Sequence, residues 1–267
     1  MNSFEKLNTI QENTNSLLCV GLDSDLNKIP VHLGKSIESI LEFNKQIIDA
    51  TIKYASSYKL NFAFYEVYGS EGFDILKKTI EYIGNERFVI ADSKRGDIGN
   101  TSDAYAKSCF EYFKADAITV APYMGRDSIE PFLKYEDKMT FVLALTSNPG
   151  SGDFQRLEFE GKPLYQHVIE KTCSWGRKEN LGFVTGATHP DDIHNIRKII
   201  PESYLLIPGV GTQGGNIAEL MNANSGGPCI INVSRDIIYA DNGADFLKAA
   251  RNKAKFYRDA FIIDKIS

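Results

Sequence analysis

The chain has 267 residues, of which 43% are apolar and 24% are charged, and its formal net charge is −5. This composition is typical of an ordinary globular protein, and the negative charge favours neither nucleic acid nor an acidic membrane as a partner. Residues 1–16 are polar, unlike a signal peptide, and no apolar stretch is long enough to cross a membrane. We therefore expect a cytoplasmic protein without either kind of partner.

The cysteines and histidines lack the spacing of a metal site. The cysteines are scattered and form no Cys-x-x-Cys pair, which indicates reduced and mostly buried thiols. The histidines form neither a His-Glu-x-x-His nor a His-x-His pattern. The sequence therefore predicts no metal site and no metal cofactor. The residues concerned are Cys19, Cys109, Cys173, Cys229, His32, His167, His189 and His194.

The predicted elements alternate between short strands and longer helices. A helix over 4–14 comes first. Short apolar runs rich in Val, Ile and Phe then predict strands that are buried on both faces of a parallel sheet. These runs cover 17–22, 60–65, 88–91, 117–121, 140–145, 181–185, 204–207 and 229–233. Helical spacing of apolar residues follows over 37–48, 73–83, 102–113, 128–135, 163–175, 190–199, 215–221 and 244–263.

This alternation predicts a single α/β domain over 1–267. Eight strands with eight following helices favour a (β/α)8 TIM barrel with an extra N-terminal helix. A doubly wound open sheet stays as the alternative, because alternation alone does not separate the two architectures. The longest irregular stretch, 147–161, is rich in Gly, Ser, Asn and Pro, and we expect it to be a functional loop.

Polar residues collect where the predicted strands end, which is the face that carries the chemistry of a barrel. The seventh strand is followed by Gly209, Gly211, Gly214 and Gly215, which would let backbone N–H groups approach an anion. Arg235 follows the eighth strand and would add a bidentate contact. A glycine-rich turn alone indicates only a tight loop. Its position together with the arginine predicts phosphate binding.

A dense charged group, Asp92, Lys94 and Asp97, directly follows the third run. Asp92 and Lys94 are two residues apart, so both side chains face the same way on a strand, and we expect that way to be the barrel mouth. Two carboxylates around one lysine would raise its pKa and keep it protonated. Such a lysine is a poor Schiff-base nucleophile but a good general acid. A purely structural ion-pair network is the alternative.

The order Asp-x-Lys-x-x-Asp-Ile, followed by Thr101, resembles the signature of the orotidine 5′-phosphate decarboxylase family. The resemblance continues in chain order through 21–23, Lys59, 145–150, 186–188 and 208–215, and it ends at 234–235. It therefore covers nearly the whole chain, and 58–66 with the insertion after 149 resemble the longer bacterial branch. It implies a TIM-barrel enzyme without a cofactor that converts orotidine 5′-phosphate to UMP and CO₂ in pyrimidine biosynthesis.

The resemblance also implies roles for the charged residues. Lys94 would donate a proton to pyrimidine C6, and Asp92 would lie against the departing carboxylate. Lys59 and Asp97 would complete an alternating charged network. The family resemblance further implies a homodimer, in which Asp97 and Thr101 reach across the interface into the neighbouring site.

Contacts to the rest of the substrate are implied in the same way. Asp23 and Lys59 would contact ribose hydroxyls, and Ser147 would read the pyrimidine edge. Gln213 would bridge base and phosphate, with Gly214 beside it in the phosphate loop and Arg235 on the phosphate. We expect the loop after the seventh strand and the 147–161 stretch to close over the bound substrate.

Three other functions stay open. A 3-keto-L-gulonate 6-phosphate decarboxylase would share the barrel and the motif, but it uses magnesium and carries a glutamate where this chain has Lys59. A Schiff-base aldolase would use Lys94, which the neighbouring aspartates disfavour. A non-catalytic sensor of a phosphate ligand would have little need for an acidic–basic network at the barrel mouth.

Overall fold

The computed structural model describes residues 1–187, 190–211 and 216–261. Within them, eight parallel strands form a closed barrel in the order β1-β8-β7-β6-β5-β4-β3-β2. The barrel confirms the predicted fold class and excludes the open sheet. The strands are β1 (Leu18–Gly21), β2 (Ser57–Asn61), β3 (Phe88–Arg95), β4 (Ala117–Val120), β5 (Met139–Leu145), β6 (Leu181–Thr185), β7 (Leu205–Pro208) and β8 (Cys229–Val233).

Successive side chains along each strand divide between two apolar clusters, as a strand buried on both faces requires. Phe88 and Ile90 of β3 pack inside the barrel with Phe141 of β5. Val89 and Ala91 lie in the larger cluster between the barrel and the surrounding helices. The alternation decides which polar residues at the strand ends point into the mouth of the barrel.

Helices follow the strands and cover the outside of the barrel. They are α1 (Ser3–Thr14), α2 (Glu38–Thr51), α3 (Ala63–Glu66), α4 (Gly69–Ile83), α5 (Gly99–Lys107), α6 (Arg126–Leu133), α7 (Leu164–Cys173), α8 (Pro190–Ile199), α9 (Ile217–Asn224), α10 (Arg235–Ile238) and α11 (Phe246–Ala260). None of the helices in the described ranges is both long and apolar enough to cross a bilayer.

The predicted strand over 60–65 is wrong. The second strand is Ser57–Asn61, and the chain turns directly into α3. Phe62 and Tyr65 are both buried and lie three residues apart, which is the spacing of one helix face. A strand end and a helix start thus follow one another in a single apolar run. Lys59 lies in the middle of the strand and is buried although it is charged. The strand therefore has no continuous apolar run by which the sequence could show it.

Other boundaries also differ from prediction, and the following differences lie nearest the candidate site or in the long loop. The third strand continues to Arg95, four residues past the apolar run, because its last residues are charged or polar. The helix predicted over 102–113 begins at Gly99 and ends in a π-helical turn, Ser108–Tyr112. The 147–161 stretch contains a 3₁₀ turn, Pro149–Asp153, and the first strand of a short antiparallel hairpin, Glu158–Phe159 with Lys162–Pro163.

The N-terminal helix α1 is present as predicted and closes the N-terminal end of the barrel. Leu7 is fully buried inside the barrel cluster. The Gln11 amide donates to the carbonyl of Cys229, 2.8 Å away. Lys6 pairs with Asp116, which directly precedes β4, at 2.7 Å. The opposite, C-terminal end of the barrel stays open to the groups described next.

Candidate active site

Three interior positions at the C-terminal ends of β2, β3 and β4 carry polar side chains. They are Lys59, Asp92 and Thr119. Asp92 and Thr119 come two residues after Ile90 and Ala117, which pack inside the barrel. All three are buried, with 5%, 6% and 1% of their surface exposed. Buried charges need partners, and here they find them in one another across adjacent strands.

Asp92 is the centre of the charged network. Its Oδ2 accepts a hydrogen bond from Lys59 Nζ at 2.6 Å, and its Oδ1 accepts one from Lys94 Nζ at 2.7 Å. Lys59 also lies 3.6 Å from Asp23 Oδ1, at the end of β1. Side chains from β1, β2 and β3 thus form a continuous line of alternating charge, Asp23–Lys59–Asp92–Lys94.

The charges in this line fix one another's ionisation. Burial alone would raise the pKa of Asp92, but the ammonium groups of Lys59 and Lys94 outweigh it and hold that pKa well below its usual range. Burial alone would lower the pKa of Lys59, but the carboxylates of Asp23 and Asp92 outweigh it and raise that pKa. The aspartate therefore stays negative and Lys59 positive over the whole neutral range.

Lys94 is held in an unusual backbone conformation. Its φ is +47°, in the left-handed region that residues other than glycine seldom adopt. The ladder between β3 and β4 pairs Ala91 with Ile118 and then Arg95 with Val120. The charged part of β3 therefore bulges away from regular pairing, and bulges beside active sites often aim a side chain. The Lys94 side chain is 47% exposed, so it stands at the open mouth.

A cavity of about 160 Å³ adjoins this network. Asp23 and Lys59 of the charged line border it together with residues from the ends of β7 and β8. Arg235, the first residue of α10, also lines it. The cavity therefore has two residues of the charged line and an arginine in its wall. It is lined by Asp23, Lys59, Pro208, Gly209, Val210, Asn232, Ser234, Arg235 and Asp236.

The turn after β7 contains glycines in backbone conformations that other residues seldom adopt. Gly209 and Gly211 have φ angles of +100° and +98°, where other residues would be strained. Gln213 and Gly214 lie outside the described residues, as does Gly215. The following helix, α9, is capped by Asn216, whose side chain accepts the N–H groups of two residues of its first turn. These N–H groups are thus already bonded.

Asp97 does not join the charged line. Within the described chain it makes no ion pair, and its Oδ1 accepts the N–H of Ile98 at 2.8 Å. Asp97 is half-buried, whereas Ile98 and Thr101 in α5 are exposed. The expected cluster of Asp92, Lys94 and Asp97 is therefore only partly assembled within one chain.

Ser147 lies in the turn after β5 and packs against the end of β6. A side chain at Gly186 would place its Cβ 2.8 Å from the Ser147 Cβ, so only glycine permits this approach. Gly21 has the same function at the end of β1, where a Cβ would lie 2.7 Å from the Ser234 Cβ. The segments 21–23 and 186–188, which are part of the family resemblance, thus contain glycines that allow neighbouring strand ends to approach closely.

Two residues at the site were not assigned a role by sequence reasoning. Thr119 donates its hydroxyl proton to Asp92 Oδ1 at 2.9 Å. Asn232 lines the cavity, and its buried Oδ1 has no hydrogen-bond partner among the described residues. Both lie inside apolar runs that predicted strands. A polar residue in such a run is a signal, but only the strand register tells what it faces.

Comparisons with known proteins agree on one family. Residues 16–250 match the model described as Orotidine 5′-phosphate decarboxylase / HUMPS family. The chain is 52% identical over 246 residues to the orotidine 5′-phosphate decarboxylase of Flavobacterium johnsoniae, with 90% of this chain and 89% of the relative covered. It is 53% identical over 247 residues to that of Christiangramia forsetii, with 90% of each covered.

Solved structures give the same result. The Leishmania donovani OMP decarboxylase superimposes with a TM-score of 0.85 at 37% identity, over 98% of this chain and 100% of that one. Leishmania donovani UMP synthase gives a TM-score of 0.85 at 38% identity, over 97% of this chain. The chain spans only 57% of that longer protein.

Proposed function

Because the chain belongs to the orotidine 5′-phosphate decarboxylase / HUMPS family, we propose that its barrel mouth decarboxylates orotidine 5′-phosphate through the line Asp23–Lys59–Asp92–Lys94. The chain is a carboxy-lyase of pyrimidine biosynthesis and forms UMP and CO₂. One observation carries the assignment of the site: a buried aspartate is shared by two lysines, and one of these lysines lines a cavity together with an arginine.

The proposed reaction follows from the charges. The bond between C6 and the carboxylate breaks, CO₂ leaves, and the electron pair stays on C6. The Lys94 ammonium lies beside that carbon, stabilises the developing negative charge and donates its proton to C6. Solvent then reprotonates the lysine. Asp92, held ionised by its two lysines, lies against the substrate carboxylate and orients Lys94 through their 2.7 Å contact.

The cavity orients the rest of the substrate. Arg235 and the backbone of the turn after β7, with Gly214, bind the phosphate, and Gln213 bridges phosphate and base. Asp23 and Lys59 bind the ribose hydroxyls between the two ends. Ser147 binds the pyrimidine edge. Distant phosphate binding then supplies energy that is used at C6, as the turn after β7 closes over the substrate.

The position of Lys59 supports a mechanism without metal. Its ammonium group contacts Asp92 at 2.6 Å and lies 3.6 Å from Asp23. It thus occupies the place between two carboxylates that a divalent cation would need. This disfavours the magnesium-dependent 3-keto-L-gulonate 6-phosphate decarboxylase alternative. A phosphate-ligand sensor would bind UMP but would not turn over orotidine 5′-phosphate.

Two copies of the chain would complete the site. Asp97 makes no ion pair in the described part of its own chain, and the neighbouring Ile98 and Thr101 are exposed. This placement supports a homodimer in which Asp97 and Thr101 enter the partner's site and Asp97 approaches Lys94. We place the enzyme in the cytoplasm, with no nucleic-acid partner.

Mixed dimers test the shared site. Lys94→Ala and Asp97→Ala subunits are each expected to be inactive alone. When they are mixed and allowed to exchange, each hybrid dimer should contain one intact site, and part of the activity should return. Lack of any recovery in mixtures whose subunits have exchanged would contradict the shared site.

The function is tested by turnover of the purified protein after dialysis against EDTA. Loss of the ultraviolet absorbance of orotidine 5′-phosphate is followed, with Lys94→Ala as the control. We expect turnover without added metal in the wild type and none in the variant. A folded wild-type protein that binds UMP without turnover would instead support the sensor.

A further inference from the structure

One residue of β4 faces the whole catalytic segment of β3. The ladder pairs Ala91 with Ile118 and resumes at Arg95 with Val120. Asp92, Ser93 and Lys94 therefore bulge opposite Thr119 alone. Regular backbone hydrogen bonds between the strands are interrupted at this point, so something other than the ladder must fix the two charged residues relative to each other.

The hydroxyl of Thr119 makes this connection. The Lys94 backbone N–H donates to Thr119 Oγ1 at 3.0 Å, and the same oxygen donates to Asp92 Oδ1 at 2.9 Å. A hydroxyl has a single proton, so that proton goes to the carboxylate while a lone pair accepts the N–H. One side chain thus binds the backbone of one catalytic residue and the carboxylate of the other.

The backbone conformation of Lys94 explains why its contact with Thr119 matters. A non-glycine residue at φ +47° is strained, and such strain persists only where the surroundings hold it. The Lys94 side chain is held by Asp92 at 2.7 Å, but at the mouth of the barrel about half of this side chain is exposed. The backbone contact to Thr119 is the part of this support that is anchored on another strand.

We propose that Thr119 is a positioning residue for the decarboxylation, which orients Asp92 and holds Lys94 in its left-handed conformation. This inference rests on the proposed function, since it assigns no chemistry to Thr119 itself. Thr119 is 1% exposed and does not line the cavity, so it acts only through its two neighbours. Its loss should affect the reacting geometry and leave the binding of ribose and phosphate in place.

The test compares Thr119→Val, Thr119→Ser and a control, Thr140→Val. Valine keeps the branched shape but leaves a buried N–H and one carboxylate oxygen short of a partner, which lowers kcat by about 10- to 100-fold. Serine retains the hydroxyl and should restore kcat to within about threefold of wild type. Thr140 is buried in β5, and its hydroxyl has no partner among the described residues, so Thr140→Val should match wild type.

Binding of UMP to each variant separates positioning from folding damage. The dissociation constant should change less than about threefold in Thr119→Val, although its kcat falls. If Thr119→Val does not fold, Thr119→Ala removes the hydroxyl without a methyl group in its place and should show the same loss. A folded hydroxyl-free variant with wild-type kcat, or a serine variant as slow as the valine variant, would overturn the inference.

The same assay distinguishes this inference from the function on which it depends. A wild-type protein without turnover would overturn the proposed function and the inference together. An active wild type beside an equally active Thr119→Val would overturn the role of Thr119 alone.

Discussion

The barrel has a largely buried lysine–aspartate pair at each end, and the two pairs differ in what surrounds them. At the N-terminal end, Lys6 of α1 contacts Asp116 at 2.7 Å, with 12% and 10% of the side chains exposed. At the C-terminal end, Lys59 contacts Asp92 at 2.6 Å, with 6% and 8% exposed. Distance and burial alone therefore do not distinguish the two pairs.

Their further partners do distinguish them. Asp116 Oδ2 also accepts the backbone N–H of Val89 at 2.9 Å, so that pair joins a helix to the end of a strand. Asp92 has a second lysine, Lys94, at the open mouth, and its line of charges borders a cavity. A pair that only joins two elements stabilises the fold, whereas one with a further charge at an open mouth can act on a ligand.

The largest difference in activity is expected between two variants that each remove one lysine, one at the open end of the barrel and one at the closed end. Lys94→Ala should lower kcat/KM by about 10³-fold or more, because it removes both the general acid and its positive charge. Its free energy of unfolding should change little, since Lys94 is half-exposed. Steady-state kinetics and urea unfolding measure the two quantities.

Lys6→Ala is the matched variant at the closed end. It should leave kcat/KM unchanged and lower the free energy of unfolding by about 1–3 kcal/mol, because Asp116 loses its ion partner in a buried place. If both variants lost activity equally at equal stability, the two pairs would not differ in the way proposed.

An intermediate effect is expected from Arg235, which lines the cavity. Arg235→Ala should weaken UMP binding by about 10- to 100-fold, which is the loss of one charged hydrogen-bonding group. Uridine lacks the phosphate, and its affinity should stay the same. Calorimetry of both ligands measures the difference.

The control for that variant is Lys178→Ala, which removes one positive charge from an exposed pair with Glu202 and should affect neither ligand. Equal weakening of UMP and uridine by Arg235→Ala would show that the arginine shapes the cavity and does not bind phosphate.

The smallest effect is expected in the pH dependence of stability. The pKa of Asp92 is lowered in the folded protein, so the unfolded chain binds more protons between the two pKa values. Stability from Asp92 is therefore complete above its unfolded pKa of about 3.9 and is lost as the pH falls towards the folded value.

Unfolding measured from pH 6 downwards should show this loss. Below about pH 4, wild type should lose stability more steeply than Asp92→Asn, by at most about 1.4 kcal/mol per pH unit. Parallel curves for the two proteins would mean that the lysines do not hold Asp92 ionised.

The sequence predicted the barrel because its apolar runs and helical repeats follow each other regularly, and the structure confirms it. It failed at 60–65, where one apolar run contains the end of β2 and the start of α3. Periodicity over so few residues does not separate a strand from a helical turn. The apolar pattern also ended the third strand at Ala91, where charged residues continue it to Arg95.

The candidate site, like the fold, was predicted only in part from the sequence. The spacing of Asp92 and Lys94 predicted that their side chains face the same way, and the two are in contact. The strand bulges at this point, which the simple alternation of side chains along a strand does not predict. Thr119 lies 27 and 25 residues from its two partners, and strand register alone brings them together. The role proposed for Asp97 depends on a second chain, which no pattern within one chain specifies.

The most direct test is a crystal structure of the protein with bound UMP. The account predicts Lys94 Nζ within about 3–3.5 Å of pyrimidine C6, the phosphate on Arg235, and Asp97 of the partner subunit beside Lys94. UMP bound with its phosphate away from Arg235, or with C6 out of reach of Lys94, would contradict the proposed site.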